Sequence, residues 1–191
     1  MPVGANSIEN CVKICCMVIR ATSWPADKEQ LINFVASFST EYIYRVLLNG
    51  LSVEILEEKL PTPLRKTYPL DAIESDLRDA DFSIVAEING VIAGFAIARH
   101  ENWNRRVALT GLYVLPDSKR QGVGQALVEA VWDYTKTTRA RCLWLETQNV
   151  NFPAIAFYTK LGFQFCGFDT TLYDDAQVNS NEIAFYFCRF L

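Results

Sequence analysis

The stretch Val114-Leu115-Pro116-Asp117-Ser118-Lys119-Arg120-Gln121-Gly122-Val123-Gly124-Gln125 decides how this chain is read. Before it runs Val107–Leu115, apolar and β-rich, a strand by composition. After it, Val123–Thr135 carries Val123, Leu127, Val131 and Tyr134 at helical spacing. The segment is therefore a strand-to-helix loop with two glycines and two cations at the helix start. Such a loop suits a phosphate: the first helical N–H groups lack partners, the dipole favours an anion, and glycine lets the ligand approach the backbone. The dipole alone contributes only about 0.3–1 kcal/mol, so several N–H bonds must act together. Taken by itself the pattern also fits an ordinary turn with basic residues in water. It is neither the dinucleotide fingerprint, since Leu127 stands where a third glycine is needed, nor a P-loop, since no Lys-Ser/Thr follows.

Working upstream, Phe82–Ile88 and Val91–Arg99 are apolar runs joined by Asn89-Gly90, a dipeptide that supplies the positive φ angles of a two-residue hairpin. Downstream, Cys142–Glu146 reads as a buried strand and Pro153–Leu161 as a helix closed by Gly162. Phe163–Tyr173 and Glu182–Leu191 then read as strands. Nearer the N-terminus, Cys11–Ala21 predicts a strand and Asp27–Phe38 a helix capped around Ser23–Asp27. Tyr42–Leu48 is apolar but ambiguous, the Pro61–Pro69 stretch PTPLRKTYP breaks regular structure, and Leu70–Leu77 is a short helix. An antiparallel meander followed by strand-helix-strand-helix-strand predicts an α/β (α+β) fold: a mixed, mostly antiparallel sheet with helices on both faces.

The chain has 191 residues, half of them hydrophobic, enough for one core and too few for two ordinary domains, so a single domain over 1–191 is expected. Lys13 and Arg20 interrupt the only apolar run near the start, which argues against a signal peptide or membrane span and for a cytoplasmic protein. A net charge of −4 argues against nucleic-acid binding and suits a cationic substrate. Cys11, Cys15, Cys16, Cys142, Cys166 and Cys188 sit mostly in apolar runs without a CxxC pair and read as buried free thiols. His100 is the sole histidine and reads as a surface or loop residue; no metal site is expected.

The segment Val114-x-Pro116-x-x-Lys119-Arg120-Gln121-Gly122-Val123-Gly124 resembles the acetyl-CoA loop of the GNAT superfamily of N-acetyltransferases. So do Leu143-Trp144-Leu145-Glu146-Thr147, Asn151, Ala154-Ile155, Phe157-Tyr158, Lys160 and Gly162-Phe163, at the usual spacing. Lys119 departs from the Gln or Arg more often found there but keeps the charge. The resemblance covers roughly 82–191, the acetyl-CoA-binding and catalytic core, while 1–80 is divergent and would supply acceptor-side elements. It implies that Leu112, Tyr113 and Val114 offer edge-strand backbone groups to the pantetheine and thioester. Arg120, Gln121, Gly122, Val123, Gly124 and Gln125 would bind the pyrophosphate, and Asn151 the pantetheine arm. It further implies that Tyr158 is the general acid and Glu146 the base, directly or through water.

The chemistry gives independent reasons for that pair. A lysine-like amine is neutral in about one molecule in a few thousand at pH 7, a handicap of roughly 4.6 kcal/mol, so a base is needed. Glu146 lies on the face of Trp144 and Cys142 by strand alternation and could take the proton, although it equally suits a salt-bridged acid. Asn151 and Tyr158, two helical turns apart, face the same way, and a Leu or Phe would pack as well as Tyr158 without a hydroxyl to satisfy.

Within the superfamily the chain is most similar to the streptothricin acetyltransferases. The similarity rests on Trp103-Asn104, Leu145-Glu146-Thr147-Gln148, Pro153-Ala154, Gly167-x-Asp169, Tyr173 and Asn181-Glu182. It implies a small-molecule acceptor, the β-lysine amine of streptothricin, attracted by carboxylates such as Asp169. Alternatives left open are a protein N-terminal or polyamine acetyltransferase and a non-catalytic acetyl-CoA-binding module. The oligomeric state is open as well, with a homodimer among the options.

Overall fold

The computed structural model describes residues 17–174 and 182–191. Its main sheet has seven strands. In chain order these are β1 (Met17–Ala21), β4 (Phe82–Ile88), β5 (Val91–Glu101), β6 (Arg106–Val114), β7 (Cys142–Gln148), β8 (Gln164–Asp169) and β9 (Ala184–Phe190). They lie in the order β1-β4-β5-β6-β7-β9-β8, and only the β6–β7 pair is parallel. A separate two-stranded sheet is formed by β2 (Ala36–Asn49) and β3 (Ser52–Tyr68). The helices are α1 (Lys28–Ile32), α2 (Ile73–Arg78), α3 (Val123–Thr137) and α4 (Phe152–Lys160).

Strand alternation divides the core in two. On one face, Leu127 and Val131 of α3 and Ile155 of α4 pack on Ala96, Leu143, Leu145 and Phe187. On the other, Leu31, Phe34 and Ile73 pack on Val85, Phe95 and Ile97. Each fully buried large side chain of this kind contributes about 1.5–3 kcal/mol. The helices on both faces and the mostly antiparallel sheet match the sequence expectation. The β4–β5 hairpin turns on Asn89 (φ 53°) and Gly90 (φ 81°), and Gly162 (φ 85°) follows α4 as expected.

In the first third β1 and the short helix α2 fall within or across the expected Cys11–Ala21 strand and Leu70–Leu77 helix, but the segment between them departs from expectation. Asp27–Phe38 is not one helix: α1 stops at Ile32, and β2 begins at Ala36. Leu31, Phe34 and Phe38 have helical spacing, but Ala36, Phe38 and Thr40 are buried alternately, so the period of two wins. Tyr42–Leu48 is strand, paired with Val53–Lys59. PTPLRKTYP does not break structure either, because β3 runs through it. The register passes from Thr40↔Leu64 to Tyr42↔Lys59, so Pro61 and Pro63 fall in an irregularity opposite Glu41 where no ladder N–H is required.

Smaller corrections follow elsewhere. Residues 11–16 of the expected first strand, with Cys11, Cys15 and Cys16, lie outside the described residues, as does Asn181. β8 ends at Asp169 rather than Tyr173, where the Asp169 carboxylate accepts from the Thr171 N–H (2.7 Å) and hydroxyl (2.8 Å) and turns the chain. Cys142 and Cys188 are buried, but Cys166 is exposed at an irregularity of β8. His100 lies within β5, half-buried, rather than in a loop. Among the described residues, no helix is long and apolar enough to cross a membrane.

Candidate functional site

One local irregularity opens the sheet. Residues Ile97 and Ala98 of β5 pair with Gly111 and Leu109 of β6, leaving Thr110 as an extra residue. A bulge bends its strand. The parallel ladder from β6 to β7 stops at the same point, covering only Arg106–Leu109 against Cys142–Leu145. Beyond it, Gly111–Val114 keep β5 on one side and lose β7 on the other. Leu112, Tyr113 and Val114 are therefore not an edge strand in sheet order. Their backbone nevertheless faces a wedge between β6 and β7.

A cleft of about 520 Å³ continues this wedge. Leu112, Tyr113 and Val114 form one wall, Asn151 and Tyr158 of α4 another, and Arg120, Gly122, Gly124 and Gln125 one end. Of the expected pyrophosphate residues, Gln121 and Val123 do not line it. The Gln121 amide donates to the Asp117 carbonyl (2.7 Å), and Val123 is core. Their backbone N–H groups remain part of the loop. Arg120 (φ 62°) and Gly122 (φ 86°) are both left-handed, and Gly122 caps α3 with no side-chain hydrogen bond, which leaves the first N–H groups of the helix for a ligand. A Cβ at Gly124 would meet the Phe157 ring at 3.3 Å, which shows how closely the loop approaches α4. Two left-handed residues, an open helix start and a cation beside a long cleft fit a ligand with a diphosphate and a narrow arm.

Lys119 differs from expectation in its use. Its ammonium donates to the Ser37 carbonyl at the start of β2, and burial lowers its pKa. It therefore ties the divergent first third to the loop.

Tyr158 is buried in the cleft wall, and burial pushes its phenol well above the ordinary tyrosine value. Glu146 lies on the opposite face of the sheet, with Trp144, and does not line the cleft; β7 continues two residues past it, so it is not a strand end. Burial raises its pKa, while a hydrogen bond donated by Tyr173 and the charge of Lys66 act to lower it. The Glu146 charge adds to the rise in the Tyr158 pKa, after burial and the neighbouring Tyr68 and Tyr113. Asn151 caps α4 by accepting from the Ala154 N–H (3.3 Å) while its amide donates to the Tyr68 hydroxyl (3.0 Å).

Tyr68 was not singled out from sequence. From the end of β3 it donates to the Gln148 side chain (2.8 Å), and it stacks on Phe38 and meets Tyr113 edge-on. Lys66, two residues before it, pairs with buried Glu182. The hairpin therefore closes the site beside the start of α4, where Tyr44 stacks on Phe152. Asp169 is half-buried, its pKa lowered first by the Thr171 N–H, and it accepts from the Tyr186 hydroxyl at 3.5 Å.

Residues 51–163 match the Acetyltransferase (GNAT) family. Streptothricin acetyltransferase of Streptomyces lavendulae is 32% identical over 156 residues, covering 78% of this chain and 82% of its own. The crystal structure of a nourseothricin acetyltransferase superposes with a TM-score of 0.81 at 33% identity, covering 91% of this chain and 98% of that one. A Bacillus anthracis str. Ames protein, solved in complex with acetyl coenzyme A, gives a TM-score of 0.78 at 25% identity, over 92% and 100% of the two chains. A glycine-capped helix start, a split between the parallel strands and relatives of this extent converge: the chain belongs to the acetyltransferase (GNAT) family and is an N-acetyltransferase.

Proposed function

We propose that this enzyme transfers the acetyl group of acetyl-CoA to the β-lysine amine of streptothricin or of a closely similar small cationic acceptor. The observation that carries the reading is the wedge between β6 and β7, with a diphosphate-type cleft on one face and the half-buried Glu146 carboxylate on the other. Acetyl-CoA supplies an activated thioester carbonyl. The N–H groups from Arg120 to Gln125 bind its pyrophosphate, with the Arg120 guanidinium adding charge. The backbone of Leu112–Val114 and the Asn151 side chain hold the arm in the cleft.

Glu146 takes a proton from the acceptor ammonium, freeing the nitrogen lone pair to attack. Its raised pKa suits a base working near neutral pH. Tyr158 gives its phenolic proton to the departing sulfur, and its own raised pKa keeps it protonated until then. The N–C bond forms, the C–S bond breaks, and the products are an amide and a free thiol. Support for the acceptor comes from the similarity to streptothricin acetyltransferases, which extends over 78% of the chain, and from the carboxylates Glu146 and Asp169 on one face. A streptothricin-sensitive host expressing the chain should become resistant, and the Tyr158→Phe form should not protect it. Sensitivity unchanged by expression of folded protein overturns the acceptor.

A further inference from the structure

We propose that the open sheet face beside Glu146 holds a second acceptor subsite, which takes a ring bearing hydroxyl or carbonyl oxygens in the part of the acceptor remote from its reacting amine. The inference rests on the amine-acceptor reading above and extends it to the rest of the molecule.

A cleft of about 540 Å³, as large as the one beside the glycine loop, opens on the face of β7 that carries Cys142, Trp144 and Glu146. Tyr186, which lines it, links it to the reacting end. Tyr186 stands directly opposite Glu146 in the β7–β9 ladder, its ring lies 5.2 Å from Trp144, and the Arg106 guanidinium lies 3.9 Å above Trp144. Side chains on one strand face repeat about every 6.6 Å, so the path from Glu146 past Trp144 to Cys142 is about 13 Å. A single amine-bearing side chain does not span it.

Charge changes sign along that path. At the Glu146 end stand two carboxylates, Glu146 and Asp169, the second in contact with the Tyr186 hydroxyl. At the far end, Arg106 is neutralised by Glu101. Exposed Arg141 gives its Nε–H to the Asn104 carbonyl (3.2 Å) and has no carboxylate partner among the described residues. A guanidinium has five N–H donors, so most of those on Arg141 are available to oxygen acceptors. An aromatic floor with free donors at one end and carboxylates at the other matches an acceptor whose amine and oxygen-rich ring lie at opposite ends.

The test compares kcat/KM for streptothricin and for free β-lysine in the wild type, in Arg141→Glu and in Cys166→Trp, which fills the cleft from its exposed rim. Both variants should lose at least tenfold more with streptothricin than with β-lysine, while KM for acetyl-CoA stays within about twofold. Equal losses with the two acceptors overturn the subsite and leave the acetyltransferase reading standing. A variant that alters only the oligomeric state in sedimentation also overturns it, assigning the face to contacts between copies. A wild type that leaves streptothricin unacetylated overturns the acceptor reading and this subsite with it.

Discussion

Tyr158 packs against Phe157 and Phe163, with ring centroids at 5.3 and 5.6 Å, so removing its hydroxyl leaves the ring contacts in place. Tyr158→Phe should therefore fold normally and bind acetyl-CoA about as well as the wild type, while turnover falls by the ~10²–10⁴ typical of a general acid. Steady-state kinetics beside calorimetry check this; wild-type turnover would leave Tyr158 a packing residue. Glu146 makes a prediction about pH. Its pKa is raised by burial, and the base must be unprotonated to act. The acidic limb of kcat/KM should thus lie above the ordinary carboxylate value of about 4.3, with activity rising as pH rises through it. Glu146→Gln should abolish that limb and lower the rate; a limb unchanged in Glu146→Gln assigns it to another group. The placement of both residues was legible, because strand alternation gave Glu146 its face and helical spacing put Tyr158 on the side of Asn151. Tyr68 and the Lys66–Glu182 pair were not, because their partners lie 80 or more positions away and no local pattern encodes such contacts.

Elements from the β4–β5 hairpin onward followed their local signals, since Asn89-Gly90, the α3 periodicity and Gly162 each act within a few residues. Of the earlier elements β1 and the short helix α2 did so too, but the segment from α1 to β3 did not. α1 gives way to β2 because a long partner strand rewards alternation over helical spacing, and β3 accommodates two prolines because its register slips opposite Glu41. The loop before α3 carries the element-scale prediction. Gly122 is left-handed with open space around it, so Gly122→Glu adds backbone strain and places a carboxylate in the diphosphate cleft. Strain at such a position costs about 1–2 kcal/mol, which a folded domain tolerates. Binding of acetyl-CoA should be lost in calorimetry while circular dichroism stays native. Retained affinity would remove the loop from the binding site.

At the scale of the whole molecule, the sequence foretold a mixed sheet but not its order. β9 inserts between β7 and β8, and that insertion puts Tyr186 opposite Glu146 and extends the sheet face proposed for the acceptor. The site is thus assembled from the divergent first third through Lys66 and Tyr68, from the bulge in β6, and from the last strand. In the proposed reading the glycine loop and Tyr158 serve acetyl-CoA and cannot choose among acceptors, so that choice falls to the face around Glu146, Asp169 and Tyr186. The most direct test measures free-thiol release from acetyl-CoA and compares kcat/KM for streptothricin with that for a panel of N-terminal peptides. The account predicts that streptothricin is the better substrate. A peptide preferred by tenfold or more, about 1.4 kcal/mol of transition-state stabilisation, would contradict it.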